Sequence, residues 1–387
     1  MASPQITSTH VVLRISHHEQ ATRASARGTR MVGGNVERLS IKTPGDFIAL
    51  MGHSLGYWPQ ESLVCIIVDD RRIGATLRVN LPKPGHDAAR YVDDVVKCIA
   101  VDREATGVVF GIFTHAPWQH GDPRPYEATL ESLTGRLSER EISLRDGWYI
   151  GESTFTNYLR MTDDSPRSYP LDRITASQLN AELVFRGSSI ASNPGFNVPV
   201  LARRDVGEEV FKHCGRIEAM SPPAAIAEAR ALWCELLNGS DMPTDDEAAE
   251  LLADFKFTSV RDRLLADIPG ISGDLRDLLL GQTKQAPRWG RVDRATDVLL
   301  YVYTLADGAH AAPVLTSLGV IQWWEGRSSR AHECFQRALE ADPYYRLARL
   351  SDQMIGEGIL APWATDRNAA YQPPMNRGPH IEGLGMA

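Results

Sequence analysis

The sequence predicts a mixed α/β N-terminal domain followed by an all-helical C-terminal domain. Three observations carry this. Two continuous apolar runs, Ser62-Leu63-Val64-Cys65-Ile66-Ile67-Val68 and Gly107-Val108-Val109-Phe110-Gly111-Ile112-Phe113, read as strands buried on both faces. Helical spacing separates and follows them, with Tyr91, Val92, Val95, Val96 and Ile99 in one stretch and Leu130, Leu133 and Leu137 in the next. From Val206 onward strand-like alternation disappears and 3.6-residue periodicity runs through to about residue 357.

Taken in chain order, residues 1–40 are rich in Ser, Thr, Ala, Arg and His with little periodicity, and read as a disordered basic tail. Residues 41–202 form the mixed α/β domain. Pro44 at a helix start, with Asp46 in its first turn, opens a short helix to Leu55, which Trp58-Pro59 ends. The alternating run 73–80 is a hairpin partner for the first buried strand. Helices over 87–103 and 126–140 flank the second buried strand, and a further strand follows around 142–150. This order makes a mixed sheet with flanking helices. A short helix over 177–186 precedes a Pro- and Gly-punctuated stretch.

Residues 203–362 form the helical domain, with candidate helices at 204–219, 222–237, 245–256, 259–267, 273–283, 291–306, 312–325, 328–340 and 344–357. Residues 363–387, with Pro373-Pro374 and few aliphatic side chains, read as a disordered tail. Within the helical domain Leu315, Leu318, Gly319, Ala331, Phe335, Ala338 and Pro343 follow the spacing of a tetratricopeptide repeat over 312–343. Gly319 and Ala331 are small where two helices cross, and Gly326 makes the turn. Gln322 stands where the pattern has a large aromatic. One such hairpin does not make a repeat groove, since about three stacked units are needed.

Composition narrows the function classes. The 387 residues carry a net charge of −8, which does not suggest a general nucleic-acid or anionic-membrane binder. Residues 1–42 nevertheless hold six cations against Glu19 and Glu37, so any weak nucleic-acid contact would come through that tail. The five cysteines are scattered and odd in number, which fits a reducing cytoplasm better than a disulfide framework. No apolar run approaches the about 20 residues of a membrane span.

One string names a chemistry. Gly52-His53-Ser54-Leu55-Gly56 is G-x-S-x-G, the nucleophile elbow of serine hydrolases. That elbow needs a strand before it and a helix after it; here a helix precedes it and a strand follows. Ser54 is therefore expected to be an inert helical residue. His115, His120 and Asp122 surround Pro117-Trp118 on a loop after a strand, a spacing that is not diagnostic of a metal site. No phosphate-cradling, dinucleotide or zinc-helix motif occurs, so neither a cofactor nor a metal is expected, and the reading leans away from an enzyme. Candidate pocket or interface residues are Ser54, Trp58, His115, Trp118, His120, Trp323 and Trp324.

The order of several blocks resembles a known family. Leu50, Gly56, Trp58-Pro59, Ser62-Leu63-Val64 and Arg78-Val79-Asn80-Leu81-Pro82 form the first. Ala176-Ser177-Gln178-Leu179-Asn180-Ala181-Glu182-Leu183-Val184-Phe185-Arg186-Gly187 forms the second, and Gly326, Ala331, Ala338, Asp342-Pro343, Tyr345-Arg346-Leu347-Ala348 and Gly358 the third. Together they resemble an actinobacterial family called domain of unknown function 4192, over about residues 44–362. The resemblance implies a bacterial cytosolic protein and supplies no activity. Asn80 replaces a common Asp of that family, and the stretch 157–172 lacks the cysteines that many members carry. Two expectations follow: an interaction or adaptor protein engaging a protein partner through the C-terminal helices, or a small-molecule-binding protein or enzyme with a pocket at the strand ends between the domains.

Overall fold

The computed structural model describes residues 6–14, 41–69, 72–83, 87–118, 122–159, 168–186, 188–192, 205–366 and 368–371. They fall into two units: the described residues within 11–77 and 81–190 hold most of the sheet with its helices, and those within 191–371, together with 6–10 and 78–80, form a mainly helical unit.

In the first unit, helix α1 (Pro44–Leu55) is fixed at both ends by local chemistry. Thr43 and Asp46 form a reciprocal capping box, Pro44 occupies the first turn, and Gly56 closes the helix at φ 77° with its N–H on the Gly52 carbonyl. Strand β2 (Ser62–Val68) and strand β4 (Gly107–Phe113) are buried at every residue, as their unbroken apolarity requires. Strand β3 (Arg72–Asn80) neighbours β2, and β1 (Ile6–Arg14) lies beyond β3. The sheet continues through β5 (Ser143–Ile150), β6 (Thr154–Asn157) and β7 (Ser168–Pro170), in the order β1-β3-β2-β4-β5-β6-β7. Strand β4 is antiparallel to β2, with Ser62 opposite Phe113, and parallel to β5, with Phe113 opposite Ile150. The sheet is therefore mixed.

Helices α2 (Ala88–Ile99) and α3 (Glu127–Ser138) pack together, whereas α1 packs on α4 (Asp172–Thr175) and α5 (Gln178–Phe185). Met51 of α1 lies against Gly111, which places α1 on the Gly111 side of the sheet. Phe110 faces the other side, where it meets Tyr158, whose hydroxyl donates to Pro125 just before α3.

The second unit contains α6 (Gly207–Glu218), α7 (Pro222–Asn238), α8 (Asp245–Lys256), α9 (Thr258–Asp267), α10 (Leu275–Leu279), α11 (Trp289–Leu305), α12 (Ala311–Trp324), α13 (Ser328–Ala341), α14 (Arg346–Gly356) and α15 (Pro362–Thr365). Helices α6 to α9 and α11 to α14 form within a few residues of where the apolar spacing placed them, whereas the helix expected over 273–283 is realised only as the short α10. All fourteen residues of α12 are buried, so it is the central helix rather than an amphipathic surface helix. It pairs with α13 across a turn at Gly326, φ 76°.

Two boundaries differ from expectation. Residues 6–14 form β1, although composition assigned them to a disordered tail; the rest of that tail, residues 1–5 and 15–40, lies outside the described residues. Residues expected to open the C-terminal tail are packed instead at Trp363, Ala364, Ala369 and Tyr371, all buried. Trp363 is 1% exposed, and the Tyr371 hydroxyl donates to Asp293 Oδ1 at 2.7 Å. Residues 372–387 lie outside the described residues.

A buried carboxyl in this unit yields a prediction. Asp254 of α8 is 2% exposed, and its Oδ2 has no hydrogen-bond partner. Burial first, and then the charges of Glu250 and Glu228, push it up to about 8 against the opposing pull of Arg216. In the unfolded chain the group titrates near 4, as an ordinary Asp does. The folded state thus holds a proton that the unfolded state releases, and stability falls as pH rises from about 4 to about 8, by at most about 1.4 kcal/mol per pH unit. Asp254→Asn is expected to flatten that slope and to raise stability at pH 8 more than at pH 5. Urea melts at the two pH values check it; a substitution equally costly at both would refute it.

Candidate functional site

Open α/β sheets present ligand sites outside the carboxyl ends of parallel strands, here β4 and β5. At that edge the chain brings together Glu61, which precedes β2, Thr114 and His115, which follow β4, and Glu152, which follows β5. The Glu61 carboxylate accepts the Thr114 hydroxyl and the His115 backbone N–H, each at 2.8 Å. His115 Nδ1 lies 3.0 Å from Glu152 Oε1, both side chains being exposed. Glu61 at φ 40° and Tyr126 at φ 62° hold left-handed backbone that residues other than glycine adopt at a cost.

Aromatic rings back this edge. Trp118 sits 5.4 Å from Tyr149 and 5.5 Å from Tyr158, and Tyr149 donates its hydroxyl to the Ala116 carbonyl at 2.7 Å. Burial, reinforced by the neighbouring Tyr126 and Glu61, pushes the Tyr149 phenol up to about 12, so it stays a neutral donor. Trp58 instead packs edge-on to Phe113 at 5.3 Å. Tyr149 shares its face with Ile112, while Phe113 shares the opposite face with Ile150. Trp58 and Trp118 therefore lie on opposite sides of the sheet and cannot line one pocket. His120 lies outside the described residues. Glu61, Tyr126, Tyr149 and Glu152 had no motif to reveal them; only the strand register assembles them. Among the described residues no group of three or more His, Cys, Asp or Glu could hold a metal ion.

The G-x-S-x-G string occupies the last turn of α1. Ser54 is 6% exposed, and its Oγ has no hydrogen-bond partner. Its neighbours serve a docking function within the unit. A Cβ on Gly52 would stand 2.8 Å from Ile190 Cδ1, so the glycine admits that side chain. His53 Nδ1 lies 2.8 Å from Ser188 Oγ, and its Nε2 lies 3.0 Å from Asn180 Oδ1. Burial holds the His53 imidazole below its ordinary value, with the Asn180 bond opposing. At the other end of α1, Asp46 accepts the Leu179 N–H at 3.1 Å. Burial raises the Asp46 carboxyl, but hydrogen bonds from Lys42, Leu179 and Thr43 outweigh it and leave the group low, as a stable anion.

In the helical unit a groove of about 430 Å³ is lined by Tyr303, Ala306, Gly308, Ala311, Leu315, Arg337, Glu340 and Ala341. A second, of about 210 Å³, shares Ala306 and reaches Val206, Val210, Leu252, Asp307 and His310. The two flank the connection between α11 and α12.

The family model described as "Domain of unknown function (DUF4192)" matches residues 44–361. The chain belongs to the DUF4192 family. No curated protein and no solved structure matches it. Within the DUF4192 region, α1 meets the second sequence block physically, since Asp46 and His53 of α1 hold Leu179 and Asn180 of α5. The region ends at Ala361, so the buried Trp363, Ala364, Ala369 and Tyr371 lie beyond it. Trp323 and Trp324, marked from sequence as pocket or interface candidates, belong to the core: they are 3% and 0% exposed, and their indole N–H groups donate to the Ile359 and Leu279 carbonyls. Ser54 is likewise buried, not part of an open site. Among the described residues no helix is long and apolar enough to cross a membrane.

Proposed function

We propose that this DUF4192 protein is an interaction protein that holds a short segment of a partner polypeptide in the groove beside α11, α12 and α13. The observation that carries this reading is the pair of adjoining grooves meeting at Ala306. Small residues (Ala306, Gly308, Ala311 and Ala341) let a backbone approach, and Arg337, Glu340, Asp307 and His310 supply charged partners at the margins. The free cysteines Cys65, Cys98, Cys214, Cys234 and Cys334 are compatible with a cytoplasmic setting.

The test fills and recharges the groove while sparing the core. Ala341→Trp and the double variant Arg337→Glu/Glu340→Arg are compared with the parent chain in affinity capture followed by quantitative mass spectrometry. A partner that the parent enriches and both variants lose, with melting curves unchanged, supports the reading. Partners retained by both folded variants overturn it.

A second reading places a small ligand at the ends of β4 and β5, favoured by the strained backbone of Glu61 and Tyr126. Glu61→Gln would then abolish a thermal shift produced by a compound in a metabolite screen; a panel with no shift on the parent chain removes it.

A further inference from the structure

The histidine of the G-x-S-x-G string, not its serine, reaches a usable hydroxyl. The Asn180 amide has a determined orientation: Nδ2 donates to the Thr175 carbonyl at 2.8 Å, so Oδ1 is the atom turned to His53 Nε2. That assignment puts the imidazole proton on Nε2, which donates to Oδ1 at 3.0 Å. Nδ1 then carries the lone pair, and at 2.8 Å it accepts the proton of Ser188 Oγ. A hydroxyl bonded to a base whose far nitrogen is held by a third group is the arrangement that activates serine nucleophiles.

The positions are also held from outside the trio. His53 is 9% exposed on α1, and Asn180 has its backbone N–H on the Ser177 hydroxyl at 3.2 Å. The Ser188 backbone N–H donates to the Leu183 carbonyl at 2.9 Å, and Ile190 lies in the space left by Gly52. Ser188 itself is only half-buried, unlike Ser54. Ser188 is thus fixed on both flanks of the chain while the residue stays partly exposed, the combination an attacking group needs.

We propose that Ser188 is a nucleophile, with His53 as its general base and Asn180 orienting that base, acting on carboxylic esters. Ser188 Oγ bonds to the ester carbonyl carbon as its proton passes to His53 Nδ1. The bond from that carbon to the leaving alkoxide oxygen then breaks, and the alkoxide takes the proton from Nδ1. Water repeats the sequence on the acyl-serine: it gives a proton to Nδ1, its oxygen bonds to the acyl carbon, and Ser188 Oγ leaves and recovers the proton, releasing the carboxylic acid. This activity belongs to the sheet unit and does not depend on the helical groove.

The experiment exposes the full chain to a fluorophosphonate probe and maps the adduct by peptide mass spectrometry. The adduct is expected on Ser188, absent in Ser188→Ala, and formed about 100-fold more slowly in His53→Gln, the contribution of a general base. An unlabelled Ser188, or labelling that His53→Gln leaves unchanged, overturns the proposal. Because His53 is buried and its variant could unfold, Ser188→Cys gives a second reading. A thiol beside this imidazole is expected to react with iodoacetamide at pH 7 about ten-fold faster than the exposed Cys234, through its larger thiolate fraction. Equal rates at the two cysteines overturn the proposal as well.

Discussion

Gly319→Ala is expected to destabilise the helical unit by about 1–3 kcal/mol, the range for forcing an extra methyl group into a filled core. A Cβ at this position would lie 2.3 Å from Cε1 and 2.7 Å from Cδ1 of Phe335. Phe335 is fully buried on α13 and has no open space to swing into. The sign is informative, because in an unobstructed helix the same exchange is favourable by about 0.8–1 kcal/mol. Gly215 of α6 is the control: nothing lies within 4 Å of its added Cβ. Gly215→Ala should therefore stabilise while Gly319→Ala does the reverse. Adding Phe335→Leu should recover part of the Gly319→Ala loss, a coupling that independent sites would not show. Urea denaturation of five chains, the parent, Gly215→Ala, Gly319→Ala, Phe335→Leu and the double variant, measures all of this; a stabilising Gly319→Ala would mean that the two helices do not cross where the structure places them.

Trp363→Ala is expected to have the larger effect, a loss of about 3–5 kcal/mol, as for other fully buried aromatic side chains. Trp363 packs edge-on to Trp324 with ring centres 5.5 Å apart, and its indole N–H reaches the Thr283 hydroxyl at 3.1 Å. Around it, Trp289 donates to the Ala369 carbonyl at 2.8 Å, and the Arg327 guanidinium lies 5.0 Å from the centre of the Tyr371 ring. Trp363→Phe keeps most of the apolar contact and loses the hydrogen bond, so its cost should be nearer about 1 kcal/mol. Thermal melts rank the three chains. A Trp363→Ala protein that melts with its parent would show that the segment after Ala361 contributes nothing to the core.

The parts of the fold that were legible are those whose burial is complete or strictly periodic. Strands β2 and β4 announce themselves because both faces are covered, so no polar residue interrupts them. Helix α2 is legible for the opposite reason, with Tyr91, Val92, Val95, Val96 and Ile99 on one stripe and charge on the other. The short strands β6 and β7 are too brief to carry a period. The stretch from Trp363 to Tyr371 was misread because proline, glycine and polar neighbours dilute two anchoring aromatic residues. Trp323 and Trp324 were ambiguous for a related reason: in a helix apolar on every side, periodicity cannot separate a core face from a surface. The chemistry of His53 was invisible in the string that contains it. Its partners stand 127 and 135 residues away, and only the packing of α5 on α1 brings them within reach. Ser54 was read correctly as helical, since the order of helix and strand around it is local information.

The enclosure of α12 has a consequence for how the chain is made. A helix buried on all sides, with only Thr316, Ser317 and Gln322 polar, has no face suited to rest in water while it waits for neighbours. Its covering includes α13, α14 and Trp363 of α15, all translated after it. During synthesis the segment Ala311–Trp324 therefore leaves the ribosome well before its shelter exists. Over that interval it is the kind of predominantly apolar stretch that chaperones hold and that other nascent chains can capture. The last aromatic residues of the fold thus close a window of vulnerability in time as well as a gap in space.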